Sequence, residues 1–230
     1  MEKRKVAVFD IDGTIFRSSL LIELMEELIN RKLFHESVRG RYAKEKKAWL
    51  DRKGDYEAYI NAIIAVFLEE LRGVHYGDFQ EAAKDLVDRK ADQVYRYTRD
   101  LVKDLRARGY YLLAISQSPK SVLDPFCKRF GFHKVYGRIY EIGPGDRFTG
   151  AVEDLHLIGN KANIVKRAIE KENLTLKGSV GIGDTEGDIA FLELVEKPIC
   201  FNPNMKLYKW AKRNGAKIVV ERKDVVHDIA

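Results

Sequence analysis

The chain has 230 residues, 45% of them hydrophobic and 33% charged, with a formal net charge of +6. This composition is that of a globular protein long enough for one well-buried core, or a core with an insertion. The apolar runs are only a few residues long, which excludes a bilayer-spanning helix, and no secretory leader is expected where Met1-Glu2-Lys3-Arg4-Lys5 passes straight into Val6.

The positive charge alone would admit a nucleic-acid partner. No arginine-glycine tract, zinc-knuckle spacing or helix-turn-helix signature accompanies it, so neither nucleic acid nor membrane is expected as a partner. Cys127 and Cys200 are the only cysteines, and neither lies in a metal-ligand spacing. They are expected to be two buried free thiols in a cytoplasmic protein.

Val6-Ala7-Val8-Phe9 reads as a buried strand. From Ser18 to about Lys90 the pattern is helical, with segments over 20–31, 38–53, 56–71 and 78–87. Leu21, Leu24, Met25 and Leu28 recur at helical spacing, as do Ile60, Ile63, Ile64 and Phe67. After Ala91 strands and helices alternate. Helix 92–108 precedes strand 110–116, and helix 121–130 precedes a hairpin over 135–142 and 148–152, split by Gly143-Pro144-Gly145-Asp146. Helix 161–172, strand 179–183, helix 186–194, strand 198–201, helix 205–214 and strand 217–220 follow. Such alternation predicts an α/β fold: a doubly wound parallel sheet covered on both faces, with ligands beyond the carboxyl ends of its strands. The helical run after the first strand interrupts that grammar. The expected organisation is therefore an α/β core from 1–16 and 91–230 with an inserted α-helical cap at 17–90, set over the mouth of the site.

The chemistry gathers at those strand ends. Asp10-Ile11-Asp12-Gly13-Thr14 closes the first strand, and residues i and i+2 of a strand point the same way. Two carboxylates about 4 Å apart repel by roughly 4 kcal/mol at an effective dielectric near 20. The pair therefore needs a hard cation, a shared proton, or both. Ser116 closes Leu112-Leu113-Ala114-Ile115, Lys161 opens a helix, and Gly183-Asp184-Thr185-Glu186-Gly187-Asp188 closes another strand. Taken singly, each has a plain structural explanation: an Asp-Gly turn, a loop hydroxyl, a solvated lysine, a helix cap. Their convergence on one edge of one sheet overrides these.

In this order the four segments resemble the four motifs of the haloacid dehalogenase-like superfamily, and the resemblance covers essentially the whole chain. It implies a Rossmann-like core and a Mg²⁺-dependent phosphatase acting on a small phosphorylated metabolite. By the same resemblance Asp10 is the nucleophile that forms an aspartyl phosphate, and Asp12 is the general acid and base, with its main-chain carbonyl on the metal. Thr14, Ser116 and Lys161 bind phosphate, Asp10 and Asp184 hold Mg²⁺, and Asp188 supports that shell from behind. Ser116-Gln117-Ser118-Pro119, Asn202-Pro203 and the hairpin resemble the phosphoserine-phosphatase-like group with its helical cap. Two positions depart from it. Ser19 stands where that group has a glutamate reading the serine ammonium, and Gln117-Ser118 replaces a Gly-Gly pair, so phosphoserine is expected to be no better a substrate than other small phosphomonoesters.

Asp12 argues against dehalogenase chemistry, in which no leaving alcohol needs a proton, and no cap lysine stands out for phosphonate hydrolysis. A phosphomutase would use the same core, and a basic binding protein that kept it as scaffold is the non-enzyme alternative. The basic cluster Arg31, Lys32, Arg39, Arg41, Lys44, Lys46, Lys47, Arg52 and Lys53 is expected to be a solvated helix face, with steering of an anionic substrate as the other reading.

Overall fold

The computed structural model describes residues 3–153 and 159–229. Residues 1, 2, 154–158 and 230 of the expected core segments lie outside them. Strand β1 (Arg4–Phe9) is followed by helices α1 (Leu20–Asn30), α2 (Val38–Arg41), α3 (Ala43–Leu50), α4 (Tyr56–Leu71), α5 (Tyr76–Lys90) and α6 (Arg96–Ala107). Then come β2 (Tyr111–Pro119), α7 (Lys120–Phe130), β3 (Lys134–Gly143) and β4 (Arg147–Glu153). Helix α8 (Lys161–Lys171), β5 (Leu174–Gly183), α9 (Ile189–Leu192), β6 (Lys197–Phe201), α10 (Met205–Asn214), β7 (Lys217–Arg222) and β8 (Val225–Ile229) complete the described chain.

The strands form one sheet in the order β4-β3-β2-β1-β5-β6-β7-β8. Neighbours from β3 to β7 are parallel, while β4 and β8 run antiparallel at the two edges. The winding reverses at β1, which pairs with β2 on one side and β5 on the other. A crevice opens at such a reversal, beyond the carboxyl ends. This is the doubly wound α/β fold that the alternation predicts.

The period-2 alternation of β1 sorts its side chains onto two cores. Ala7 and Phe9 join Leu112, Ala114 and Ile182 on one face, and that cluster runs without a break into Leu24, Phe67 and Phe79 of the inserted helices. Val6 and Val8 face the other way, with Leu113, Ile164, Phe191 and Leu207. The insertion has no separate core: its apolar stripes close over the sheet and over Phe126 of α7.

The two passages between sheet and insertion are joined to each other. Tyr95 N–H donates to Ile15 O at 2.9 Å, and Arg17 N–H donates to Gln93 O at 2.9 Å. Glu221 of β7 braces this junction from behind. Its carboxylate accepts from Arg17 Nη2 (3.0 Å) and from the main-chain N–H groups of Arg96 (3.0 Å) and Tyr97 (2.8 Å), the free donors that begin α6.

Several boundaries differ from the sequence reading for local reasons. The helix expected over 38–53 is two short ones, broken at Tyr42 (φ −118°, ψ 10°). There the buried ring turns inward and its hydroxyl donates to Glu26 at 3.1 Å, and Gly40 weakens the run. The helix expected from Asp92 starts at Arg96, because residues 93–95 are engaged in the junction. The helix expected over 186–194 is a single tight turn, Glu186–Asp188, followed by the four-residue α9. Strand β8 was not legible in the sequence. Its turn, Lys223-Asp224, has Lys223 at φ 56°, a position where glycine or asparagine would have signalled a hairpin.

Candidate active site

Asp10 and Asp184 directly follow β1 and β5, Lys161 opens α8, and Ser116, expected to close its strand, lies three residues before the end of β2, where the register with β3 is irregular. Asp10 follows the last ladder pair of β1, and its N–H donates to Ile182 O at 2.9 Å. Its Oδ1 accepts from Lys161 Nζ at 2.5 Å, and the same ammonium reaches Asp188 Oδ1 at 2.6 Å. Asp188 Oδ2 accepts from the N–H groups of Asp184 (3.0 Å) and Thr185 (3.1 Å), which fixes the loop that presents Asp184. Thr14 Oγ1 donates to Asp184 Oδ1 at 3.2 Å, and the Thr14 carbonyl accepts from Thr98 Oγ1 at 2.8 Å. Gly13 makes this approach possible. It sits at φ +80°, and a Cβ there would collide with the Asp184 carboxylate.

Asp10, Asp184 and Asp188 each offer one oxygen, all within 4.8 Å of one another. Against these three carboxylates stands, among the described residues, the buried ammonium of Lys161. Burial pushes the Asp10 carboxyl up to about 7. Lys161 opposes that rise, while Asp188 and Asp12 add to it. Burial raises Asp184 well above the usual carboxylate range, helped by the charges of Asp10 and Asp188. Burial alone would lower Lys161, but the two carboxylates it touches outweigh it and hold the ammonium above its ordinary value. Asp10 Oδ2 is buried without a hydrogen-bond partner, a costly state for a carboxylate oxygen. A hard divalent cation fits this donor set: it would give Asp10 Oδ2 a partner and supply the missing positive charge.

Asp12 stands apart from that trio. Its Oδ1 accepts from Leu20 N–H at 2.5 Å, at the start of α1, and its Oδ2 accepts from Ser116 Oγ and, at 2.8 Å, from Ser118 Oγ. Burial raises its pKa, while the hydrogen bonds from Ser116, Leu20 and Ser118 pull the other way. Ser118 escaped the sequence reading, although its two-residue spacing from Ser116 on one strand was the available signal. Ser118 Oγ also accepts from Leu21 N–H at 3.1 Å, so one serine joins β2, Asp12 and α1.

Four of the nine cations in the basic cluster on the inserted helices are matched by acids. Arg31 pairs with Glu27 (2.8 Å) and Asp85, Arg39 with Glu26 (2.8 Å), Arg41 with Glu70 (2.8 Å) and Glu69, and Lys47 with Asp51 (2.8 Å). Arg52 lies over the Trp49 ring, 5.2 Å from its centroid. Paired in this way, Arg31, Arg39, Arg41 and Lys47 behave as solvated surface structure.

The family model of haloacid dehalogenase-like hydrolases matches residues 7–193. The chain belongs to that family. Phosphoserine phosphatase SerB1 of Mycobacterium tuberculosis is 27% identical over 217 residues, which cover 92% of this chain and 69% of that protein. A histidinol-phosphatase of Neisseria meningitidis is 24% identical over 223 residues, covering 92% of this chain and 96% of its own. Among solved structures, a phosphoserine phosphatase with an analogue of its phospho-aspartyl intermediate superposes with a TM-score of 0.65. It is 20% identical and covers 97% of this chain and 96% of that one, which shows the shared fold. Among the described residues, no helix is long and apolar enough to cross a membrane.

Proposed function

We propose that this hydrolase is a Mg²⁺-dependent phosphomonoesterase that works through a phosphoryl group carried on Asp10. The observation that carries the reading is the Asp10 carboxylate itself. One of its oxygens is held by Lys161, the other is buried and unpartnered, and two further carboxylates crowd the same space. Asp10, Asp184 and the Asp12 carbonyl are the proposed Mg²⁺ ligands, with Asp188 behind them. When bound, the ion would neutralise charge on the phosphoryl oxygens.

The residues then divide the work. Lys161, Thr14 and Ser116 hold and orient the phosphate. An Asp10 oxygen attacks phosphorus while the bond to the ester oxygen breaks, and Asp12 gives that oxygen its proton, so a neutral alcohol leaves. Asp12, now a carboxylate, takes a proton from water as the water attacks phosphorus. Phosphate departs and both aspartates are restored. The segment 17–90 is the cap, enclosing a small phosphorylated metabolite, and the buried free thiols Cys127 and Cys200 fit a cytoplasmic protein.

The test is hydrolysis of p-nitrophenyl phosphate with Mg²⁺ and with EDTA, on wild type and Asp10→Asn. Activity that needs both the metal and Asp10 is expected. Wild-type turnover by Asp10→Asn would overturn the mechanism.

A further inference from the structure

The Asp12 carboxyl is held from two sides. Leu20 and Leu21 open α1, and the N–H groups of a helix's first turn have no acceptor within the helix. Leu20 N–H donates to Asp12 Oδ1 at 2.5 Å, and Leu21 N–H donates to Ser118 Oγ at 3.1 Å. On the other side, Asp12 Oδ2 accepts from Ser116 Oγ and, at 2.8 Å, from Ser118 Oγ. Both hydroxyls come from β2, two residues apart, so they lean to one side of the strand. Both serines are buried, yet their remaining bonds differ. Ser116 Oγ accepts from Ser118 N–H at 2.9 Å, within its own strand. Ser118 Oγ takes its second bond from the inserted helix.

A serine hydroxyl has one proton to donate. In the proposed reaction Ser116 donates that proton to the phosphate, and its bond to Asp12 is then lost. Ser118 is held elsewhere: its proton points at Asp12, and its oxygen is engaged by Leu21 N–H. With Leu20 N–H on Oδ1 and the Ser118 hydroxyl on Oδ2, the Asp12 carboxyl keeps two anchors, one from the insertion and one from the sheet. With Leu20 N–H alone, its plane could swing about the Cβ–Cγ bond. A reacting group displaced in this way costs rate in the step it serves. The first step Asp12 serves is protonation of the leaving oxygen.

We propose that Ser118 is a positioning residue for leaving-group protonation, holding the Asp12 carboxyl in place once Ser116 has turned to the phosphate. This rests on the phosphomonoesterase reading. A Ser118 that served only to satisfy Leu21 N–H would behave differently, since its removal would slow every substrate alike.

The test is alcohol release in a single turnover with Mg²⁺, from propyl phosphate and from p-nitrophenyl phosphate, by wild type and Ser118→Ala. Propanol must leave with a proton, whereas p-nitrophenolate hardly needs one. Ser118→Ala should lower the propyl rate about tenfold, the scale of a lost hydrogen bond to a charged group, and the p-nitrophenyl rate only about two- to threefold. Across a series of substituted phenyl phosphates, the loss should grow as the leaving phenol becomes less acidic. Ser118→Gly is the second variant, should alanine unfold the protein. It carries the residue that the phosphoserine-phosphatase-like group has at this position, and the same selective loss is expected of it. Equal losses on the two esters, or a loss that does not vary across the phenyl series, would overturn the assignment while wild-type turnover upholds the phosphatase reading. A wild type that hydrolyses neither ester would overturn that reading, and the assignment with it.

Discussion

The two charged regions of this molecule are built on opposite accounts. On the inserted helices, arginines meet acids near the surface, as Arg41 does with Glu69 and Glu70. At the sheet end, Asp10, Asp184 and Asp188 share one lysine in a buried space, and one oxygen of Asp10 has no partner. Matched pairs in water are worth little and can sit anywhere. Unmatched buried charge is expensive, and a fold retains it where a cation and a phosphoryl group repay the cost.

Mutations can break that contrast at either end. The largest effect should be Asp10→Asn, which is expected to reduce Mg²⁺-dependent hydrolysis to background in a steady-state assay with the circular dichroism of wild type. Asp12→Asn comes next. General acid catalysis is worth about 10²–10⁴-fold, and the loss in single-turnover phosphorylation should be larger for alkyl than for aryl phosphates, whose leaving groups hardly need a proton. Equal losses would remove Asp12 from the acid role.

Stability tests sharpen the comparison. Lys161→Met leaves Asp10 and Asp188 without their ammonium, and urea unfolding in EDTA should show a cost of about 3–5 kcal/mol, the usual penalty for breaking a buried pair. Mg²⁺ should raise the unfolding free energy of wild type by about 2.7 kcal/mol at a hundredfold excess over its Kd. Asp184→Asn should lose most of that gain. At the matched end, Arg41→Gln should cost under about 1 kcal/mol, less in high salt.

Glu27 lies between these extremes. Burial would raise its carboxyl, but hydrogen bonds and charge from Arg31 and Arg89 hold it below the ordinary glutamate range. Its contribution should be fully present at neutral pH and lost as pH falls through that lowered value. The stability gap between wild type and Glu27→Gln should therefore close in acid, as read by urea melts at both ends of the range.

Much of this was legible in the chain because it depends on local rules. Val6–Phe9 alternates onto two cores, Gly13 turns the chain after β1, Gly183 ends β5, and Asp10, Lys161 and Asp184 mark strand and helix ends. The pairing of Arg39 and Arg41 was not legible, because their acids Glu26 and Glu70 come from other helices. Local breaks such as that at Tyr42 arise from a tertiary hydrogen bond that periodicity does not encode.

Glu221 carries one more consequence, for the order of assembly. It closes the junction between the sheet and the inserted helices from a position 204 residues beyond Arg17. A chain emerging from the ribosome would thus have β1, all of the insertion and most of the sheet before it has the residue that ties Arg17 to the start of α6. Until then, the donors at that helix end have only water. Contacts this distant in sequence form late and slow folding, and partly assembled sheets expose edges that aggregate. The nascent protein is therefore most open to aggregation in the interval before β7 arrives.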